Sequence, residues 1–454
     1  MTAIRASSDL EYHAALAALA DRGRFGIRLG LGRTRALLRA LGDPQLAVRG
    51  ALVAGTNGKG SVLAIAGSAL RAAGLRVGET PKPHLVTYRE RIMVNGMPIV
   101  AADFTRHVEA VLAVADQVAR RHGEPTEFEL LTAVVFRHFA EANLDVALVE
   151  VGLGGRLDAT HAWDGGVVAI TNVDLDHTEW LGPTIAHIAR EKAAIIERGD
   201  LAVTGTTGEA LAIVRRRARR MGAPLTVVEP APLLGWDGDG IDVALARLGP
   251  TRIGLRGRHQ AANAAVADAL LDALEEAGIA TVDDEARRRG YAAATWPGRL
   301  EVLRPPGHGD VLLDGAHNPA AAAALATALD DLRPHLAPGP VSLVIAVMAD
   351  KDVDGLIAGL SAADTLRGAT IIATSLDGPR AMPAEELAAR WRAAGARSVR
   401  AVADPLAALD AARSADGAGL TVVAGSLYLV GIVRAHLVDD PLLRDPADPA
   451  EQRR

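Results

Sequence analysis

The sequence predicts an α/β protein of two domains, the second a doubly wound, Rossmann-like sheet. Three observations carry that expectation. The chain has 454 residues, beyond the roughly 250–300 at which a single hydrophobic core stops growing. Residues Leu52 to Ser61 read L-V-A-G-T-N-G-K-G-S, a short apolar strand (Ala51–Ala54) running through a glycine turn into a helix. From Val311 onward, apolar strands alternate with helical segments, the pattern of βαβ units and a mainly parallel sheet.

Taken in order, Asp9–Leu19 and Arg33–Leu41 have helical spacing, the second closing at Gly42. Phe25–Leu31 between them is glycine-rich and reads as a loop. Ser61–Ala73 is a helix, followed by V-G-E-T-P-K-P-H-L-V-T-Y-R-E-R-I, whose two prolines demand an irregular loop. Helices are expected at Asp103–Arg121, with Asp103 as cap, and at Glu127–Ala142. Strands are expected at Asp145–Val151 and Val167–Thr171, shorter strands and turns at Val203, Val227 and the segment to Leu255, and a helix at Ile185–Glu197. An alanine-rich helix starts at Arg258, and another covers Asp283–Ala293. W-P-G-R-L-E-V-L marks a boundary, which gives domains at 1–297 and 298–438 and a charged, proline-rich tail at 439–454 expected to be disordered. In the second domain, strands fall at Val311–Leu313, Val341–Val347, Thr370–Ala373, Val399–Ala401 and Leu420–Ala424. Helices such as Pro319–Leu332 and Ala384–Ala394 lie between them.

Composition narrows the chemistry. Aromatic residues make up 3% of the chain, so Ala, Val and Leu must fill the cores. A net charge of −6 offers no basis for nucleic-acid binding, and no apolar run is long enough to span a bilayer. The absence of cysteine excludes disulfides and thiolate metal sites. A cytoplasmic protein acting on small molecules is expected.

The strand–turn–helix at Gly55, Thr56, Asn57, Gly58, Lys59, Gly60 and Ser61 is a P-loop-type phosphate cradle. Glycines let main-chain N–H groups approach an anion, the helix start adds a positive dipole end, Lys59 can meet the outer phosphates and Ser61 can offer a hydroxyl to Mg²⁺. Its spacing, G-x-x-G-K-G-S, departs from the commoner form by one glycine between lysine and hydroxyl. Glu150 closes an apolar strand and needs a partner there; the alternatives are an ion pair with Arg156 or a metal ion. The loop N-V-D-L-D-H gathers Asp174, Asp176 and His177, either a solvated acidic loop or a metal or phosphate site, with His an unusual ligand for Mg²⁺. In the second domain, polar clusters D-G-A-H-N-P, M-A-D-K-D and G-S-L-Y-L-V-G fall at strand ends, where open α/β sheets place ligands.

Together these motifs resemble the folylpolyglutamate synthase / dihydrofolate synthase family of the Mur-ligase superfamily. The matches are G-T-N-G-K-G-S, P-H-L-V-T-Y-R-E-R-I, L-E-V-G-L-G-G-R-L-D-A-T, T-N-V-D-L-D-H, E-K-A-A-I-I, G-R-H-Q-A-A-N-A, W-P-G-R-L-E, D-G-A-H-N-P, M-A-D-K-D and G-S-L-Y-L-V-G, in the family's order from about residue 25 to 435. The resemblance implies a Mur-ligase ATPase domain followed by a glutamate ligase domain, with the active site in the cleft between them. ATP would phosphorylate a pteroate or folate carboxylate, and the amine of L-glutamate would attack the acyl phosphate. It implies ATP and two Mg²⁺ as cofactors, Lys59 and Ser61 on phosphate and metal, Glu150 on the first Mg²⁺ and His177 on the second. It implies a carbamylated Lys192, Asn263 and Arg299 on the nucleotide, and Asp314, His317 and Ser426 on the acyl and glutamate side. The Phe25–Leu31 and Pro83–His84 loops would touch the pterin, and the protein would be a monomer.

One position departs. The family usually has serine before P-H-L, contributing to the first metal site; here it is Lys82. Lys82 could point away, could replace part of the metal's charge, or could mark a different acyl substrate. Ala194 stands where glycine is usual. Against the ligase reading stand a ligase for some other carboxylate, a nucleotide-binding protein without ligase activity, and a one-domain P-loop kinase or GTPase. The acyl-side cluster and the second βαβ domain count against the last two.

Overall fold

The computed structural model describes residues 2–23, 26–306, 308–378, 380–416 and 419–447. The chain divides into two compact units. One comprises Met1–Pro230, Ala262–Tyr291 and Pro441–Arg454; the other comprises Ala231–Ala261 and Ala292–Asp440.

The first unit is built on eight strands: β1 (Gly50–Ala54), β2 (Val77–Thr80), β3 (Met93–Val94), β4 (Met97–Pro98), β5 (Val146–Glu150), β6 (Gly166–Ile170), β7 (Leu201–Thr204) and β8 (Leu225–Val227), ordered β4-β3-β2-β5-β1-β6-β7-β8. From β2 to β8 every pairing is parallel. β1 and β5 are buried along their whole length, which is why they read as unbroken apolar runs rather than alternating ones. The β3–β4 hairpin, absent from the expected elements, turns at Asn95 (φ 52°) and Gly96 (φ 76°), the pair of positive φ values a tight primed turn requires. The core is mostly Ala, Val and Leu, with Tyr12, Phe104, Phe136, Phe139 and Trp163 as its large members. Helices Lys59–Ala72 and Glu127–Glu141 agree with expectation within two residues. The second opens on a capping box in which Thr126 and Glu129 satisfy each other's main-chain N–H. Helix Ala101–His122 is capped at Val100 with no side-chain bond; Asp103 lies in its first turn instead. Helix Ile185–Ala193 ends four residues before expected.

The second unit carries a three-stranded antiparallel sheet, β9 (Leu233–Trp236), β10 (Ile241–Leu245) and β11 (Gly249–Ile253). It also carries a six-stranded sheet of β12 (Glu301–Leu303), β13 (Asp310–Leu313), β14 (Val341–Ile345), β15 (Thr370–Ala373), β16 (Val399–Ala401) and β17 (Leu420–Ala424), ordered β12-β13-β17-β14-β15-β16. Only β12 is antiparallel to its neighbour. This is the doubly wound sheet the alternation predicts. No helix among the described residues is long and apolar enough to cross a membrane.

Two expectations about organisation are corrected. The division does not fall at 297/298: residues 231–261 and 292–297 join the second unit. Their side chains lock onto it, Arg258 gripping Asp331 with two bonds of 2.6 Å and Arg256 donating to the Leu300 carbonyl. A short meander looks the same in sequence whichever core it joins. The tail is not disordered over its described part. Asp445 accepts from Tyr12 Oη at 2.8 Å, Thr87 Oγ1 at 2.5 Å and Arg89 Nε at 3.1 Å, and Arg89 also donates to the carbonyls of Leu442 and Arg444. A charged, proline-rich segment is held by polar bonds to buried partners, which hydropathy does not register. Residues 448–454 lie outside the described residues.

Candidate active site

The phosphate-loop residues sit where β1 gives way to helix Lys59–Ala72. Gly58 caps that helix at φ 81°, the left-handed region that glycine enters without penalty. The loop is knitted to the turn after β6. Thr56 N–H donates to the Asn172 carbonyl and Asn57 N–H to Asn172 Oδ1. Thr171 Oγ1 donates to the Asn57 carbonyl at 2.6 Å, and Thr56 Oγ1 exchanges bonds with the main chain of Asp174. A Cβ at Gly55 would lie 1.8 Å from Thr171 Oγ1, and one at Gly58 2.2 Å from Asn263 Oδ1. The glycines are therefore required by close neighbours as well as by φ, and Asn263, from helix Gln260–Glu276, lies against the loop. Thr171 and Asn172 were not singled out as functional; the T-N of T-N-V-D-L-D-H was the available signal.

Three lysines converge here. Lys59 Nζ donates to the carbonyls of Gly55 (3.0 Å) and Thr56 (3.1 Å) and stands 4.0 Å from Glu150 Oε1. Lys192, on helix Ile185–Ala193 and 4% exposed, donates to the same Gly55 carbonyl at 2.7 Å. Burial, and then the Lys59 charge, push its pKa down to about 7. Lys82 does not point away: its ammonium donates to the Glu150 carbonyl and its main-chain N–H to Glu150 Oε2 at 2.9 Å. Burial lowers its pKa to about 8, opposed by Asp158 and Glu150.

Glu150, 3% exposed at the end of β5, is not paired with Arg156, which is engaged by Glu191 at 2.9 Å. Ser61 is buried in the first turn of its helix. His177 heads the short helix Thr178–Leu181 with φ 49°, its Nε2 3.9 Å from Asp176 Oδ1. Among the described residues no three His, Asp or Glu side chains form a metal site. The hydroxyl of Ser61 and the carboxylate of Glu150 are oxygen donors that fit an ion taking few protein ligands and completing its shell with water and phosphate oxygens, the habit of Mg²⁺, while the His177 imidazole is an unusual donor for it.

In the loop before residue 92, His84 Nδ1 accepts from Arg91 Nε at 2.8 Å and its ring lies 4.4 Å from Tyr88. Burial and then Arg91 push its pKa down to about 3, so it is neutral at ordinary pH. Of the glycine-rich loop at residues 25–31 and the residue before it, Arg24 and Phe25 lie outside the described residues. Gly30 N–H donates to the Leu157 carbonyl, and Ile27 is exposed.

In the second unit, the three polar clusters fall at the C-terminal ends of adjacent strands β13, β17 and β14. Asp314 spends both carboxylate oxygens on main-chain N–H groups, Leu300 and Ala316, each at 2.9 Å. Burial raises its pKa, opposed by Arg299. Its visible work is to shape the turn. His317 Nδ1 lies 2.8 Å from the Gly315 carbonyl, which assigns the proton to Nδ1. Arg299 crosses the same glycine, 2.5 Å from where a Gly315 Cβ would be. Ser426 is buried and caps helix Leu427–Leu437, accepting from Tyr428 N–H at 3.2 Å. The Gly425 N–H bond to the Ala316 carbonyl joins this turn to the D-G-A-H-N-P turn.

The glycine loop with its lysines and the doubly wound unit with its convergent polar turns belong, by comparison with known proteins, to an ATP-dependent acid–amino-acid ligase of the Mur type. The family model for the Mur ligase glutamate ligase domain matches residues 298–427. The dihydrofolate synthase/folylpolyglutamate synthase of Bacillus subtilis (strain 168) is 36% identical over 434 residues, 92% of this chain and 96% of that protein. The crystal structure of Mycobacterium tuberculosis folylpolyglutamate synthase complexed with ADP and AMPPCP matches with a TM-score of 0.83 at 34% identity, over 95% of this chain and 100% of that one. The Yersinia pestis bifunctional folylpolyglutamate synthase/dihydrofolate synthase, complexed with AMPPNP and Mn ion, matches with a TM-score of 0.79 at 33% identity, over 94% and 98%. The chain belongs to the dihydrofolate synthase/folylpolyglutamate synthase family.

Proposed function

We infer that this chain joins L-glutamate to the carboxylate of a pteroate or folate in an amide bond, using ATP and a divalent metal, through an acyl phosphate. The observation that carries this reading is the convergence of Lys59 and Lys192 on the Gly55 carbonyl beside buried Glu150. A carboxylate becomes an acyl donor only when its oxygen is made a leaving group, and moving a phosphoryl group onto it requires charge to be neutralised in place.

Lys59 leaves its loop carbonyls for the outer phosphates when the nucleotide docks. Main-chain N–H groups of Gly58 to Ser61 and the helix N-terminus face the same oxygens, and Asn263 holds the loop from the side. A divalent metal supplies further neutralisation of the transferring group; Ser61 and Glu150 would hold one ion and His177 a second. Lys192, partly neutral near pH 7, has the lone pair needed to add to CO₂, giving a carbamate and releasing a proton. The product is an anion among cations. On the second unit, Arg299 serves the nucleotide, while His317 and Ser426 meet the acyl group and incoming glutamate on a turn shaped by Asp314. His84 and the loop of residues 26–31 meet the pterin, neutral His84 offering a ring face rather than a charge. The reading places a monomer in the cytoplasm.

The test is incubation of purified protein with ATP, Mg²⁺, L-glutamate and either dihydropteroate or tetrahydrofolate. A product heavier by one glutamyl residue, with stoichiometric ADP, is expected; ADP release only with unrelated carboxylic acids would replace the folate assignment.

A further inference from the structure

Lysine is rare in this chain. Of its 49 basic Lys and Arg residues, four are lysine: Lys59, Lys82, Lys192 and Lys351. Three of the four stand around Gly55 and Glu150, where their nitrogens reach main-chain carbonyls. A chain that uses arginine nearly everywhere a positive charge suffices uses lysine where a compact ammonium fits and a planar guanidinium does not. Two of the three have roles above; Lys82 does not.

Its contacts are specific. Both its nitrogens hold Glu150, the main-chain N–H on the carboxylate and the ammonium on the carbonyl. The ammonium lies 5.1 Å from the centre of the Phe128 ring, a face that favours a cation. A surface lysine would have none of these constraints.

We propose that Lys82 is a positioning residue for phosphoryl transfer, clamping Glu150 at both ends and placing its ammonium beside the metal-binding carboxylate, so that this protein holds its divalent ion more weakly than a neutral residue at 82 would allow. The proposal rests on the assignment of Glu150 to the metal. A fixed cation near Glu150 repels a divalent ion and supplies part of its charge. The site then depends on the incoming phosphates to complete the ion's binding.

Mn²⁺ binding to the full-length protein in the presence of ADP, read by electron paramagnetic resonance of free Mn²⁺, tests this without turnover. Lys82→Met keeps the main-chain N–H and the side-chain bulk and removes the charge. It is expected to tighten Mn²⁺ binding by about tenfold or more. Lys82→Gln, which retains a donor for the Glu150 carbonyl, gives the same reading as Lys82→Met should the latter not fold. Mn²⁺ affinity in the neutral variants equal to or weaker than wild type overturns the proposal. Glu150→Gln separates the two layers. If it loses Mn²⁺ while the neutral Lys82 variants match wild type, only the role of Lys82 falls; if it binds Mn²⁺ as wild type does, the metal assignment falls and takes the proposal with it.

Discussion

Gly58→Ala is the sharpest test of the phosphate loop. At φ 81° an alanine sits in the left-handed region, at a cost of about 1–2 kcal/mol. Its Cβ would also stand 2.2 Å from Asn263 Oδ1, a contact that cannot persist. Asn263 is 8% exposed, so its amide must leave its rotamer in a packed setting, at about 0.5–1.5 kcal/mol. The total is about 1.5–3.5 kcal/mol, a factor of roughly 10 to 300 in an equilibrium constant. It can surface in two ways. If the loop keeps its shape, the strain lowers the stability of the first unit and ADP binding survives. If the loop relaxes, stability is retained and ADP affinity falls. Urea denaturation and ADP titration calorimetry on the same preparation measure both, and the two losses should sum to that range. A variant within about 0.5 kcal/mol of wild type in both would refute the structural account of the glycine turn.

Lys59→Ala should leave folding intact and lower kcat by about 10²–10³, as expected for loss of a charge that acts in the transition state; near-wild-type turnover would remove Lys59 from the chemistry. Lys192 gives a pH dependence. Its folded pKa of about 7 lies below the ordinary lysine value of 10.5, so between these values the unfolded chain binds more protons and stability rises with pH. Lys192→Met should flatten the increase in urea midpoint between pH 7 and 9; an unchanged slope would mean that burial of the amine is not its cause. Asp445→Ala removes the shared acceptor of Tyr12, Thr87 and Arg89. Tyr12 and Thr87 retain each other at 3.4 Å and Arg89 keeps carbonyl partners, so a loss of about 1–3 kcal/mol in the first unit is expected. An unchanged melting temperature would show the C-terminal segment to be dispensable.

Much of this protein was legible in the residues. β1, β5 and β6 run through the middle of a parallel sheet and are apolar for that reason, so local hydropathy located them. Strands β13, β14, β15 and β17 were located for the same reason, and the glycine turn and the clusters at strand ends were legible from their residue types. The parts that escaped have a common physical character. The meander of β9 to β11 groups with the second unit, and the tail around Asp445 is ordered by polar bonds to residues more than 350 positions away. Neither leaves a periodic mark. At the site, sequence alone determined which groups are present: a lysine and hydroxyl on a glycine turn, a carboxylate ending a strand, a lysine on a helix. Tertiary structure decided their partners. It turned Arg156 to Glu191, set Lys59 and Lys192 on one carbonyl, and fastened Lys82 to Glu150. Those choices depend on distances across strands and helices far apart in the chain, where burial raises the cost of an unpartnered charge until geometry alone selects its neighbour.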